Sequence, residues 1–324
     1  MSTRVINTRP QAHSQKTKRG RGYKVKLALA FAAIYLVYGS TYLAIRYSVE
    51  TIPPLVTAGI RLLVAGCILF VWAWTNGFRP RRDHWIAGSI VGALFFLISH
   101  GLLYWAEKTV TSGVAALVIA TEPMFILILG WVAGQKKMSW LSALGLGVGV
   151  LGVGLVTRPQ LATTNSQFMG LAAVLLASVS WAAGVVILPR LPLPSDDLAR
   201  TAMPLLCGSV MLLITAGLSG EIQATYWSAI SLRSLLGLGY LTIFGSVVAF
   251  TAYTWLLQQC SPTLVSTHTY VNPMVAVFLG WLFASERTGA HVLLASVAIL
   301  TAIVLLQHGE NNIASSGTPR SLGV

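Results

Sequence analysis

The sequence predicts an all-α membrane protein, with ten transmembrane helices arranged as two inverted five-helix repeats. Three observations lead there. The chain is 55% hydrophobic and only 10% charged, with a mean hydropathy of +0.72. A soluble domain carries about 25% charged residues, so this chain lacks the polarity to cover a water-facing surface. Its apolar residues fall into runs of roughly 20, the length that crosses a bilayer core as a helix. Finally, the second half repeats landmarks of the first at an offset of 150 residues.

Reading by apolar length places the spans at 25–46, 54–75, 84–106, 112–134, 140–157, 168–188, 201–219, 232–256, 262–284 and 289–307. Turn chemistry separates them, as at Pro53-Pro54, Asn76-Gly77 and Pro192-Leu193-Pro194. The chain therefore divides into a basic tail (1–24), a first five-helix repeat (25–158), a second (166–308) and a polar, mobile tail (309–324). No room is left for a separate soluble domain.

Charge sets the orientation. The net charge of +13 would point to nucleic acid in a soluble protein. Here eight of the 22 basic residues (Arg4, Arg9, Lys16, Lys18, Arg19, Arg21, Lys24 and Lys26) lie before the first span or at its very start. That cluster is expected to hold the cytoplasmic surface of anionic lipid, not nucleic acid. With the N-terminus inside, 16 basic residues fall on the cytoplasmic side against 5 outside, leaving Arg61 within a span. Both termini are thus expected in the cytoplasm of a bacterial-type inner membrane. The first apolar segment is too long for a signal peptide and lacks its cleavage context.

At the 150-residue offset, Trp105 falls on Trp255, Pro123-Met124 on Pro273-Met274, and Leu129-Gly130-Trp131 on Leu279-Gly280-Trp281, while Glu122 falls on Asn272. Five spans per half is an odd number, so the second half must sit upside down relative to the first. Inverted repeats are the architecture of many secondary transporters, which hold substrate near the midplane.

YLVYGSTYLAIRYSVETIPPLVTAGIRLLVAG (Tyr35–Gly66), LLYWAEKTVTSGVAALVIATEPMF (Leu102–Phe125) and the stretch from Ser261-Pro262 to Trp281 resemble EamA-type permeases of the drug/metabolite transporter superfamily. The resemblance covers roughly residues 25 to 307. It implies ten helices as two inverted repeats, cytoplasmic termini, a central cavity and alternating access. It also implies export of amino acids, other metabolites or toxic small molecules, or exchange of related solutes. Members of the family often carry an apolar residue where Glu122 stands, so a coupling scheme does not transfer onto that position.

Polar residues inside spans are the candidate site. Glu122 lies about nine residues into its span, about 14 Å deep at 1.5 Å per residue, near the midplane of a roughly 30 Å core. An acid there costs about 2.5–3.5 kcal/mol on insertion scales, so it must face the bundle, a partner or a wet cavity. It either titrates and binds a substrate amine, or holds two helices together. Pro123 and Pro273 remove the helical partners of the Ile119 and Thr269 carbonyls and are expected to kink their helices beside Glu122 and Asn272.

His268 and Asn272 share a helical face at i, i+4, as do His100 and Tyr104. Tyr38 and Tyr42 follow Tyr35 on the first span, beside Ser40 and Thr41, and Trp181 occupies a similar place on the sixth. Arg61 can neutralise Glu122, bind a substrate carboxylate or snorkel outward. The histidines serve either as packed hydrogen-bonding groups or as proton relays. Trp85, Trp140 and Trp227, near span ends, read as interface anchors.

Other chemistries lack their motifs. Gly147 to Gly152 matches G-x-G-x-x-G, but inside an apolar span it is helix packing and not a dinucleotide site. The three cysteines, Cys67, Cys207 and Cys260, form neither a disulfide framework nor a C-x-x-C metal motif. No Walker A, H-E-x-x-H or G-x-S-x-G sequence is present, and Asp196-Asp197 reads as a turn or helix cap. The expectation is a non-enzymatic secondary transporter of small organic solutes, exporting by alternating access, with proton coupling at Glu122. Its partners are a small-molecule substrate, protons and membrane lipid. No cofactor or metal is expected, and the chain acts as a monomer or weak dimer. A facilitative exchanger, a channel or a membrane scaffold are the alternatives.

Overall fold

The computed structural model describes residues 21–135, 138–161, 165–260, 262–265, 267–286 and 289–316. The basic residues before Arg21, together with Lys136, Lys137, Arg287 and Arg320, lie outside them. Each long apolar run is helical. The helices are α1 (Arg21–Ser48), α2 (Pro54–Thr75), α3 (Arg82–Ala106), α4 (Ser112–Val132) and α5 (Trp140–Leu161). They continue with α6 (Asn165–Ile187), α7 (Asp197–Leu218), α8 (Leu232–Gln259), α9 (His268–Ala284) and α10 (Ala290–Ser316). Eight contain stretches long and apolar enough to cross a membrane; the apolar stretches of α5 and α9, Trp140–Leu155 and Val271–Ala284, are shorter. This is an all-α, multi-spanning membrane fold.

Local chemistry sets the ends. Pro54 opens α2, where a missing N–H loses nothing, and Gly77 leaves it at φ 94°, a conformation suited to glycine. The Asp196 carboxylate accepts from Ala199 N at 2.8 Å, capping α7. Several ends differ from the span reading, among them the start of α9, at His268 and not 262. α1 already begins at Arg21 and α10 runs on to Ser316, because helix propagates into polar sequence once an apolar stretch has nucleated it.

The outside of the bundle is apolar, with Val150, Leu218 and Trp281 exposed, as lipid contact requires. Trp85, Trp140 and Trp227 are also exposed, each close to a helix start. Inside, α2 packs along α7, α5 along α10, α1 against α9 and α4 against α6. Small residues permit these approaches. A Cβ on Gly145 would sit 2.8 Å from the Ala302 carbonyl oxygen, and one on Gly152 would sit 2.7 Å from Ile299 Cγ1. The G-x-G-x-x-G run thus contributes glycines to a helix contact.

Two interruptions position the site. The middle of α3, Ala93–His100, and that of α8, Leu241–Ala249, are wound as π-helix, a geometry that recurs at functional positions. Helix α4 is broken into Ser112–Ile119 and Glu122–Val132. Pro123 therefore sits in the first turn of a new segment, where proline is tolerated. Its counterpart differs. Pro273 lies inside α9 with helix on both sides, and the break comes earlier, before His268.

Candidate functional site

The α4 break turns Glu122 into a cavity of about 90 Å³ at the centre of the bundle. The carboxylate is only 8% exposed, and among the described residues no hydrogen bond or ion pair engages it. Arg61, from α2, lines the same cavity but is held elsewhere. Its Nε donates to Ser246 Oγ at 2.7 Å, and its Nη1 donates to the Tyr104 hydroxyl in a very short contact. The two charges thus share a chamber without pairing, and the sequence-based option that Arg61 neutralises Glu122 is not adopted.

Aromatic and imidazole rings form the walls. Tyr38 and Tyr42 come from α1, His100 from α3, Trp181 from α6, and His268 and Asn272 from α9. Each histidine Nδ1 is tied to backbone, at 2.8 Å to Phe95 O for His100 and at 2.9 Å to Val265 O for His268. The Tyr38 hydroxyl and the Asn272 Oδ1 are buried without partners among the described residues. Groups of this kind are costly in a protein interior unless a ligand or water answers them.

Eight of the ten sequence-derived candidates line the chamber. Tyr104 stands behind Arg61 as its partner. Ser40 lies outside the chamber lining: its hydroxyl faces α8 and contacts the Tyr240 hydroxyl at 2.5 Å, tying helices together. Sequence reasoning missed Ser99 and Thr269 in the wall.

A larger cavity, about 370 Å³, lies toward the α6–α7 connection and includes Phe95, Leu188, Arg200, Tyr253 and Gln258. Between it and the chamber, Trp181 stacks on Phe95 at 4.1 Å and approaches Tyr253 at 6.2 Å. These rings form a septum between the two spaces.

The opposite end of the chamber is roofed by charge. Glu286, just beyond α9, accepts from Ser112 N at 3.1 Å, Ser112 Oγ at 2.9 Å and Gly113 N at 3.4 Å, and pairs with Arg46 Nε at 3.5 Å. It thereby satisfies the exposed donors at the start of α4. Ser285 takes φ 52° to aim it there. Beside it, Glu107 is 1% exposed, and neither of its oxygens has a partner among the described residues. Burial, and the Glu286 carboxylate, push the Glu107 carboxyl well above the ordinary range, while Arg46 pulls it back. Nothing in the sequence marked these acids, because both stand in short turns where acids are usually solvated.

The EamA-like transporter family model matches residues 25–158 and again 168–307. The chain belongs to that family. This EamA-like transporter is 35% identical over 285 residues to the uncharacterized inner membrane transporter YedA of Escherichia coli K12, covering 87% of this chain and 90% of that one. It is 28% identical to the protein PecM of Dickeya dadantii (84% and 89% covered) and 25% identical to the uncharacterized transporter YoaV of Bacillus subtilis (87% and 96%). A solved crystal structure shares its fold at a TM-score of 0.63 and 16% identity, covering 89% of this chain and 99% of that one. It is a secondary transporter of small organic solutes.

Proposed function

We propose that this chain exports a small amine-bearing organic solute across a bacterial inner membrane by alternating access, in exchange for protons taken up at Glu122. The observation that carries the reading is an unpaired carboxylate in a chamber walled by both halves. A protonated amine of the substrate and a proton compete for Glu122, so binding one releases the other. Arg61 supplies a fixed positive charge for a substrate carboxylate, and Trp181, Tyr38 and Tyr42 offer ring faces. At about 90 Å³ the chamber has room for a few waters only. A solute of amino-acid size therefore enters as the chamber widens.

The scaffold in this reading is ten spans in two inverted five-helix repeats with both termini cytoplasmic. Several features support it. The family model matches twice. The π-wound segments, Ala93–His100 and Leu241–Ala249, nearly coincide at the 150-residue offset. Packing also obeys the exchange of halves: α1 on α9 answers α6 on α4, and α3 on α7 answers α8 on α2. The names of relatives such as the inner membrane transporter YedA support the location.

The test is reconstitution of Glu122→Gln in proteoliposomes, with substrate-driven proton flux as the readout. We expect proton movement to be lost and transport of the amine, deprived of its carboxylate, to weaken. Undiminished coupling would sink the proton role.

A further inference from the structure

Glu107 stands one helical turn beyond the chamber wall, which its own helix contributes through Leu103. The same holds around it: Ile45, next to Arg46, and Ala116, one turn from Ser112, also line the chamber. The Glu107–Glu286–Arg46 group is therefore the roof of the transport path at this end. We propose that Glu107 is a proton-binding site whose protonation closes this end of the path. The inference rests on the alternating-access reading above but not on any role for Glu122.

Closing this end leaves Glu107 1% exposed, with both oxygens unpartnered among the described residues. Arg46, whose charge acts on Glu107, is engaged by Glu286. An ionised Glu107 would be a second buried negative charge without a partner of its own, an arrangement that strongly disfavours the packed state. A neutral carboxyl removes that penalty. Opening hydrates the group and returns it to ordinary acidity. The closed state then holds the proton more tightly than the open state, so acid on this side favours closure.

The surroundings leave few competing groups. From α1, Arg46 and Tyr42 face Glu107; Tyr104 on its own helix and Glu286 beyond α9 also feel its charge. Lys108, next in the chain, is exposed. Helix α6 packs against this turn through Gly170. Neither α6 nor the first α4 segment carries an Asp, Glu, Lys, Arg or His.

The experiment uses the full chain in lipid nanodiscs, without substrate, with Cys67, Cys207 and Cys260 replaced by serine. Spin labels at Glu50→Cys and Phe283→Cys report the distance across this end. From pH 8 to pH 5 the parent is expected to shift toward the short distance, the open-to-closed ratio falling by up to about tenfold per pH unit, the limit for one proton. Glu107→Gln should hold the short distance throughout; Glu107→Met gives the same reading should the amide fail to fold. Glu286→Gln should open further at every pH yet keep the pH response. So should Glu122→Gln keep it, whatever becomes of proton coupling in transport. A parent distance that ignores pH overturns the proposal. So does a pH response that survives in Glu107→Gln, or one that disappears in Glu122→Gln instead.

Discussion

Glu286 caps the start of α4 from 174 residues away, its carboxylate 2.9 Å from the Ser112 hydroxyl. Gly280 makes this possible, because a Cβ there would lie 2.5 Å from Glu286 Oε2. Gly280→Ala should therefore dislodge the carboxylate. Hydrogen bonds to a charged group contribute about 1.5–3 kcal/mol each, so losing even one should favour the open form by tenfold or more. Distance measurement across this end, compared with Glu286→Ala, checks the expectation; an unchanged distribution counts against the cap.

Arg61 is a buried cation held by Ser246 and Tyr104. Arg61→Ala leaves both hydroxyls without their donor and should destabilise the fold by about 1–3 kcal/mol for each. Ser246→Ala and Tyr104→Phe each remove a hydrogen bond to a buried charge and should each cost about 1.5–3 kcal/mol. Arg61→Lys should rescue poorly, since one ammonium cannot reproduce the fork that serves both hydroxyls. Thermal unfolding in detergent ranks the four variants.

Glu107 makes an independent prediction about stability. Its folded-state affinity for a proton is raised, so the stability it allows is full below the ordinary glutamate value of about 4.3. That stability is lost as pH rises from there through the folded value. Glu107→Gln should unfold at a higher temperature than the parent at pH 8, with the two converging toward pH 5. Melting curves at both pH values test it. A parent as stable as the variant at pH 8 would remove the penalty on which the argument stands.

The Trp181–Phe95 stack divides the two cavities. Trp181→Ala should join them and weaken substrate binding by up to about tenfold, in line with the 0.5–1.5 kcal/mol an aromatic pair contributes beyond burial. Trp181→Phe should retain most of the wall. Substrate KM in vesicles separates these outcomes.

Much of this was legible in the sequence. Depth alone placed Glu122, because hydrocarbon cannot tolerate a lipid-facing acid near its centre, and helical spacing brought His268 and Asn272 into one wall. Residues whose role depends on a distant chain segment were not legible. Ser40 meets Tyr240 across 200 residues, so its local neighbours, which line the chamber, were misleading. Glu107 and Glu286 follow the same logic, since a turn acid reads as solvated until another helix covers it. Pro123 and Pro273 align in sequence but not in structure: Pro123 falls in the first turn after the α4 break, whereas Pro273 lies inside α9 with helix on both sides.

The pairing of α2 with α7 has a consequence for synthesis. A Cβ on Gly66 would lie 3.0 Å from the Leu206 side chain, a partner that leaves the ribosome 140 residues later. At about 5–20 residues per second, the early helices wait on the order of ten seconds with that groove open to lipid or to the insertion machinery. A variant that stalls there would be lost before its finished structure could be tested at all.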